Sequence, residues 1–418
     1  MSALAALLMA TALAADSPET ALHGDLKVFF VAGQPKQWIG DEADPYGQGV
    51  AAGRLRASLK QEKVRLDLHW AFAAQTVAQA SSFGLSTGVG ARAPELLPLS
   101  WTPVDSSGLT FTHRVDRLVL SGKIPHLDLA LGRQPVSFGV GRIFTPLDLV
   151  NPYHPATIDT EYKPGVDALR IDGYAGMAGK LTLVAAWAGE PVVGEDRRDA
   201  DTPVLDDLVL AASGQGTVGV TDLLGFAGSV HGEPVFGLGT VSALGPVGIH
   251  AEASLTLQED DPFVRAVAGA DLRPTGKTTV MAEAYVQSFG VTDPADYLAA
   301  ASSARFARGE LWQLGQLYGA LAVSQEITPL VSASVSAIGN LRDPSALLTA
   351  GGSWSVADNA SVAFGGYLGL GAAPDPLPLA VGADGAVSLP STETLADSVN
   401  SEFGLYPSML YLQVRTYF

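Results

Sequence analysis

The 418-residue sequence predicts an all-β chain, a transmembrane antiparallel up-and-down β-barrel of about 18 strands with long extracellular loops, a size within the range of such barrels. Three observations lead there. Val64, Leu66, Leu68, Trp70 and Phe72 alternate with Arg65, Asp67 and His69, the period-two pattern of a strand with one apolar and one charged face. Hydrophobic residues reach 47% with only 16% charged, yet no run is long and apolar enough for a membrane helix. Finally, Leu410, Leu412, Val414 and Phe418 share one parity, and Tyr411, Gln413, Arg415 and Tyr417 the other. An apolar-faced strand therefore runs to the last residue, where soluble domains usually fray into water.

The front end reads as an export signal. Leu4 to Ala14 is small and apolar, and Ala12-Leu13-Ala14 has the small-x-small form of a signal-peptidase site, although no Lys or Arg precedes it. Residues 1–15 are thus expected to be a cleaved signal peptide, residues 16–24 a short N-terminal segment, and residues 25–418 the barrel. Cysteine is absent, which excludes disulfides and thiolate chemistry. The net charge of −18 excludes nucleic acid as a partner, because phosphates demand a basic surface.

Strands follow in order at residues 25–32, 53–60, 64–72, 111–121, 127–134, 166–174 and 180–188, with a weak one at 205–212. From Val220 onward hairpins recur regularly, with turns at His231-Gly232, Gly245-Pro246, Thr275-Gly276 and Asp358-Asn359. Long loops near residues 35, 77, 141, 190, 290 and 372 all fall on one side, extracellular if both ends are periplasmic, and the connections opposite are short. Without the weak strand and a neighbour the count drops to about 16, the alternative for such a barrel.

The terminal strand resembles the closing strand of bacterial outer-membrane β-barrels, in which Leu410, Leu412, Val414 and Phe418 would be the membrane-insertion signal. That resemblance implies a Gram-negative outer-membrane location, contact with lipid and lipopolysaccharide, and recognition by the barrel-assembly machinery. A second stretch carries Gly132-Arg133-Gln134, then Asn151-Pro152, then Gly165-Val166-Asp167. It resembles a segment of outer-membrane porin-like proteins, including the alginate-export barrels. This implies a water-filled channel for polar solutes. The alternative it implies is an exit channel for a secreted polysaccharide, working with periplasmic export proteins. A surface barrel acting as an adhesin is the third reading.

Assigning the apolar parity to lipid places Arg54, Arg56, Arg65, Asp67 and His69 in the lumen on early strands, with Glu252 and Glu283 on later ones. Residues 135–165 are rich in proline and charge, and proline stiffens a loop. They are expected to fold inward and constrict the pore, with Arg133, Gln134, Arg142, Asp148 and Asp167 near the narrowing. Arg133 shares the outward parity of Leu127, Leu129 and Leu131, so a bulge at residues 132–135 or a place at the polar rim is required. His69, His113 and His250 sit on separate strands, and no Gly-x-Ser-x-Gly elbow occurs, so no enzyme is predicted. The acidic stretch from Glu195 to Asp207 matches no calcium loop. Neither a metal nor a cofactor is predicted.

Overall fold

In a computed structural model, the described residues are 19–40, 44–76, 94–153, 157–189, 204–258, 261–381 and 387–418. The expected signal peptide and most of the acidic stretch lie outside them. β1 (Glu19–Gln34), β2 (Tyr46–Gln61) and β3 (Val64–Thr76) begin the wall, and β4 (Ser100–Asp105) is a short addition. β5 (Leu109–Ile124), β6 (Leu127–Gln134), β7 (Val166–Ala175) and β8 (Gly179–Trp187) come next. β9 (Leu208–Val218), β10 (Thr221–Val230), β11 (Glu233–Leu244), β12 (Val247–Thr256), β13 (Phe263–Thr275) and β14 (Thr278–Gln287) continue it. β15 (Leu317–Thr328), β16 (Val331–Asn340), β17 (Ser345–Ala357) and β18 (Ala360–Leu370) lead to the last strand. A two-residue ladder of β19 (Ala380–Val381) and β20 (Val387–Ser388) lies in the final loop, and β21 (Ser408–Tyr417) closes the barrel.

The wall is a closed antiparallel barrel of 18 strands. β21 pairs with β18 on one side and with β1 on the other, in register from Asp25 opposite Tyr417 to Gln34 opposite Ser408. Closure satisfies every strand edge, which hydrocarbon demands because it offers no hydrogen bonds. After β2, β5, β7, β9, β11, β13, β15 and β17 the chain turns back within two or three residues. Every long connection is on the opposite rim, as the loop spacing predicts. The outward parity is apolar and exposed, as at Leu68, Trp70, Phe364 and Leu410, while the inward parity is mostly covered.

Three boundaries differ from expectation. β1 begins at Glu19, whose residues 19–24 pair with residues 55–60 of β2, so most of the expected N-terminal segment belongs to the wall. The weak strand starts at Leu208, after a 3-10 turn over Val204–Asp207. β4 has no counterpart in the expected strand list. It pairs with the loop-side half of β5, while the eight-residue β6 pairs with the other half. β4 thus continues the wall where β6 leaves it.

Over the long-loop rim, Tyr297, Leu314, Val399 and Leu405 form an apolar cluster with Trp38 packed against it. These residues come from three different loops, so the loops share one roof. Trp38 Nε1 donates to Ser398 Oγ at 2.7 Å, which pins the first loop to the last.

Candidate pore site

The chain leaves the wall after Gln134 because Pro135 has no N–H to continue the ladder. The described loop residues, 135–153 and 157–165, then run inside the barrel. Val136, Leu147, Leu149 and Val150 pack on inward side chains of β7 to β10, including Val166, Val184, Val209 and Phe226. Farther along, Phe144 stacks on Tyr285 of β14, ring centroids 4.8 Å apart. The inward face beneath the loop is therefore apolar, a departure from the uniformly hydrophilic lumen that strand alternation suggests. Ala186 and Val184 share the covered face of β8 while Leu181 and Leu183 face lipid. A strand apolar on both faces is covered on both faces.

Two carboxylates fix the loop's main chain. Glu252 of β12 accepts the backbone N–H groups of Gly141 at 2.9 Å and Leu147 at 2.6 Å, and that of Val140. Glu283 of β14 accepts those of Arg142, Ile143 and Phe144 at 2.9, 3.0 and 2.9 Å. Charge-assisted bonds of this kind are roughly twice as strong as neutral ones. Gly139 adopts φ +95° beside Glu252, where a Cβ would collide with the carboxylate. Glu252 and Glu283, expected in the lumen, do point inward, and there they anchor the loop.

The other side of the lumen is basic. A bulge in β5 sets His69 opposite Arg117 and Trp70 opposite Val115, leaving Asp116 as the extra residue. Two successive side chains, Asp116 and Arg117, are consequently buried on the inner side, and the outward parity switches from Val115 to Leu118. Asp116 gathers three guanidinium groups: Arg54 at 2.5 Å, Arg117 at 2.8 Å and Arg114 at 3.2 Å. It also accepts the Gly165 backbone N–H at 3.2 Å, and Arg117 donates to the Lys163 carbonyl, so the hub ties down the loop's return. Lys27 bridges Asp159 at 2.5 Å and Glu161 at 2.7 Å, and Arg415 reaches Glu161 at 3.1 Å. The Tyr162 ring lies beneath Arg54, 4.2 Å from centroid to guanidinium carbon, and Arg56 lies 5.8 Å away. A cavity of 140 Å³ opens here, lined by Lys27, Arg54, Arg114, Asp116, Asp159 and Tyr162 among others.

The predicted residues separate into groups. Arg54 and Arg56 belong to the basic cluster, and half-buried His69 lies on the same inner face with no partner for its Nδ1. Arg65 and Asp67 pair with each other at 2.7 Å near the short-turn rim. Arg142 reaches toward Asp271 at 3.6 Å with its side chain half exposed. Asp148 is consumed by Lys163 at 2.6 Å within the loop. Arg133, Gln134 and Asp167 do not face open lumen. Arg133 is 1% exposed and bridges Asp167 at 2.8 Å and Glu95 at 3.2 Å, and Asp167 also accepts the Leu96 N–H at 2.8 Å. The segment before β4 thus lies over this pair, and the lipid parity of Arg133 is accommodated by a wall seam rather than by a polar rim. Gly132 takes φ +118° at the same point. Gln134 donates to the Ala168 carbonyl at 3.0 Å and seals the wall.

Arg114, Asp116, Arg117 and Tyr162 are the site residues that alternation overlooks. A signal for the first three exists in the chain: Phe111, His113 and Val115 are odd, whereas Leu118 and Leu120 are even. A phase change within one strand marks a bulge.

No protein-family model matches the chain, and no curated protein matches it significantly in sequence. Its fold is similar to that of solved outer-membrane barrels. Pseudomonas aeruginosa OccD3 (OpdP) superposes with a TM-score of 0.53 at 9% identity, covering 96% of this chain and 91% of that one. Acinetobacter baumannii OccAB4 gives 0.54 at 7% identity, with 96% and 98% covered. Pseudomonas aeruginosa OpdK, solved with vanillate, gives 0.50 at 10% identity, with 95% and 98% covered. The likeness extends over the whole barrel and is a likeness of fold.

Proposed function

We propose that this barrel is a porin-like channel of the Gram-negative outer membrane that passes small polar solutes and favours organic anions. The observation carrying this reading is the inner loop, held by Glu252 and Glu283 on one wall and by the Asp116 hub on another. A lumen narrowed by a loop so firmly anchored suits small solutes better than a polymer chain. This weighs against polysaccharide export. In the basic cluster, Lys27, Arg54, Arg56, Arg114, Arg117 and Arg415 outnumber Asp25, Asp116, Asp159 and Glu161. Confined charge of one sign raises the local concentration of the other. A guanidinium over an aromatic ring, as at Arg54 and Tyr162, matches an aromatic carboxylate of the kind present with OpdK.

Under the same reading, the apolar belt contacts lipid and lipopolysaccharide, and Leu410, Leu412, Val414 and Phe418 present the closing strand to the assembly machinery. The chemistry belongs to a channel, not to an enzyme. Planar-bilayer recording of the purified barrel tests the proposal. Discrete openings that favour anions are expected, and deletion of residues 145–160 should raise conductance. A persistently silent barrel, or conductance unaltered by the deletion, contradicts it.

A further inference from the structure

His250 of β12 and Glu283 of β14 are both buried and stand two strands apart, about 10 Å at the usual spacing of paired strands. Their side chains meet all the same: His250 Nε2 lies 2.7 Å from Glu283 Oε1. Between them is Gly269 of β13, directly opposite both in register. A Cβ on Gly269 would fall 2.5 Å from His250 Nε2 and 2.7 Å from Glu283 Cγ, so the pair closes over a residue that has no side chain. The Glu283 carboxylate also accepts the N–H groups of Arg142, Ile143 and Phe144. Three amides converging on one carboxylate make it a charged acceptor, and Nε2 is then the donor of the pair. The other ring nitrogen, Nδ1, has no partner. Among the described residues, the bond to Glu283 is therefore the ring's single hydrogen bond, and it runs to the anchor rather than to the loop.

We propose that His250, with Gly269 leaving it room, is a positioning residue for the inner loop: its Nε2–H holds the Glu283 carboxylate where it meets the three loop amides. An unheld glutamate samples several rotamers, and the imidazole selects the one that presents both oxygens to residues 142–144. His250 thus sets the course of the loop through another residue. The proposal rests on the reading of that loop as the element that narrows the channel, and it adds what keeps the narrowing in place.

Amide hydrogen exchange at residues 142–144 of the full barrel, held in nanodiscs, tests the role. His250→Leu removes the donor and should speed exchange at these amides about tenfold, the scale of one charge-assisted bond. His250→Gln keeps an N–H at a similar reach and should restore most of the protection. In a Glu283→Ala background, His250→Leu should add nothing further, because the two residues act through one bond. Unchanged exchange in His250→Leu, no rescue by glutamine, or an added effect in the Glu283→Ala background overturns the proposal. A loss of protection spread evenly along β12 to β14 marks a packing role only and overturns it equally. If His250→Leu does not assemble, Gly269→Ala decides: it should part the pair and speed the same amides, and wild-type exchange there overturns the proposal. Exchange is read without current, so a barrel that passes no ions contradicts the channel reading alone.

Discussion

Glu283 accepts the backbone N–H of Phe144 at 2.9 Å, although the two residues lie 139 positions apart in the chain. A carboxylate on the wall thereby holds the main chain of a loop that crosses the lumen. With Glu252 it satisfies six backbone donors of that loop. Replacing Glu283 by Ala removes three of these bonds, and unsatisfied donors of this kind cost about 1–3 kcal/mol each. Glu283→Ala should raise single-channel conductance and increase current noise, while the barrel still assembles. An unchanged, quiet current would count against an anchoring role.

Arg56 is separated from this anchoring. Its nearest carboxylate is Asp25 at 4.0 Å, and its Nε lacks a partner. Arg56→Ala should therefore leave assembly intact and shift the reversal potential in a salt gradient toward cations. A selectivity identical to wild type would argue that the basic cluster does not face the permeating solute.

Asp116 should behave oppositely. Removing the carboxylate leaves Arg54, Arg114 and Arg117 buried together without their shared counter-charge, and breaking a buried pair costs about 3–5 kcal/mol. Asp116→Ala should lower the heat-unfolding midpoint of the folded barrel markedly. A midpoint equal to that of wild type would show that the arginines find other partners.

Phe418 exchanges backbone hydrogen bonds with Gly24 at 2.7 and 2.9 Å, and its ring lies over Gly24, where a Cβ would collide with it. Deleting Phe418 should reduce the amount of assembled barrel far more than the conductance of the molecules that do assemble. Gly24→Val should reproduce part of that loss by displacing the ring. Normal membrane levels of the truncated chain would speak against a closing role.

Glu402 sets a pH dependence in the roof. It is 1% exposed, accepts the Asn340 amide at 2.8 Å and the Leu314 N–H at 3.1 Å, and contacts the Tyr318 hydroxyl. Burial pushes its carboxyl up to about 7, and nearby Asp343 adds to the rise. The folded state therefore retains a proton that the unfolded chain releases in the ordinary carboxylate range. The resulting stabilisation is full below that range and is lost as pH rises toward 7, on the order of 3 kcal/mol. Hydrogen exchange of residues 402–406 should be slower at pH 5 than at pH 8, after correction for the intrinsic rate. Glu402→Gln should flatten that difference, and an equal difference in both proteins would rule the carboxyl out.

Alternation along single strands was sufficient to read the wall. Val64 to Phe72 against Arg65 to His69, the short turns on one rim, and Leu410 to Phe418 at the end place lipid and lumen on their proper sides. Period two is a local property, and closure follows from it because an open edge is not tolerated in lipid. The inward course of the described loop residues, 135–153 and 157–165, was also legible, from the proline and charge of that stretch. What those charges do was not. Arg133 and Asp167 are sealed in a seam by a segment some 35 to 70 positions away, and Glu252 and Glu283 spend their charge on backbone amides more than a hundred positions distant. The sequence by itself determined the barrel, its two faces and its closing strand, since each depends on neighbours one or two residues apart. Only the tertiary structure decided which lumen charges are anchors and which face the solute. That choice rests on contacts between distant strands and an inner loop, and no local period records it.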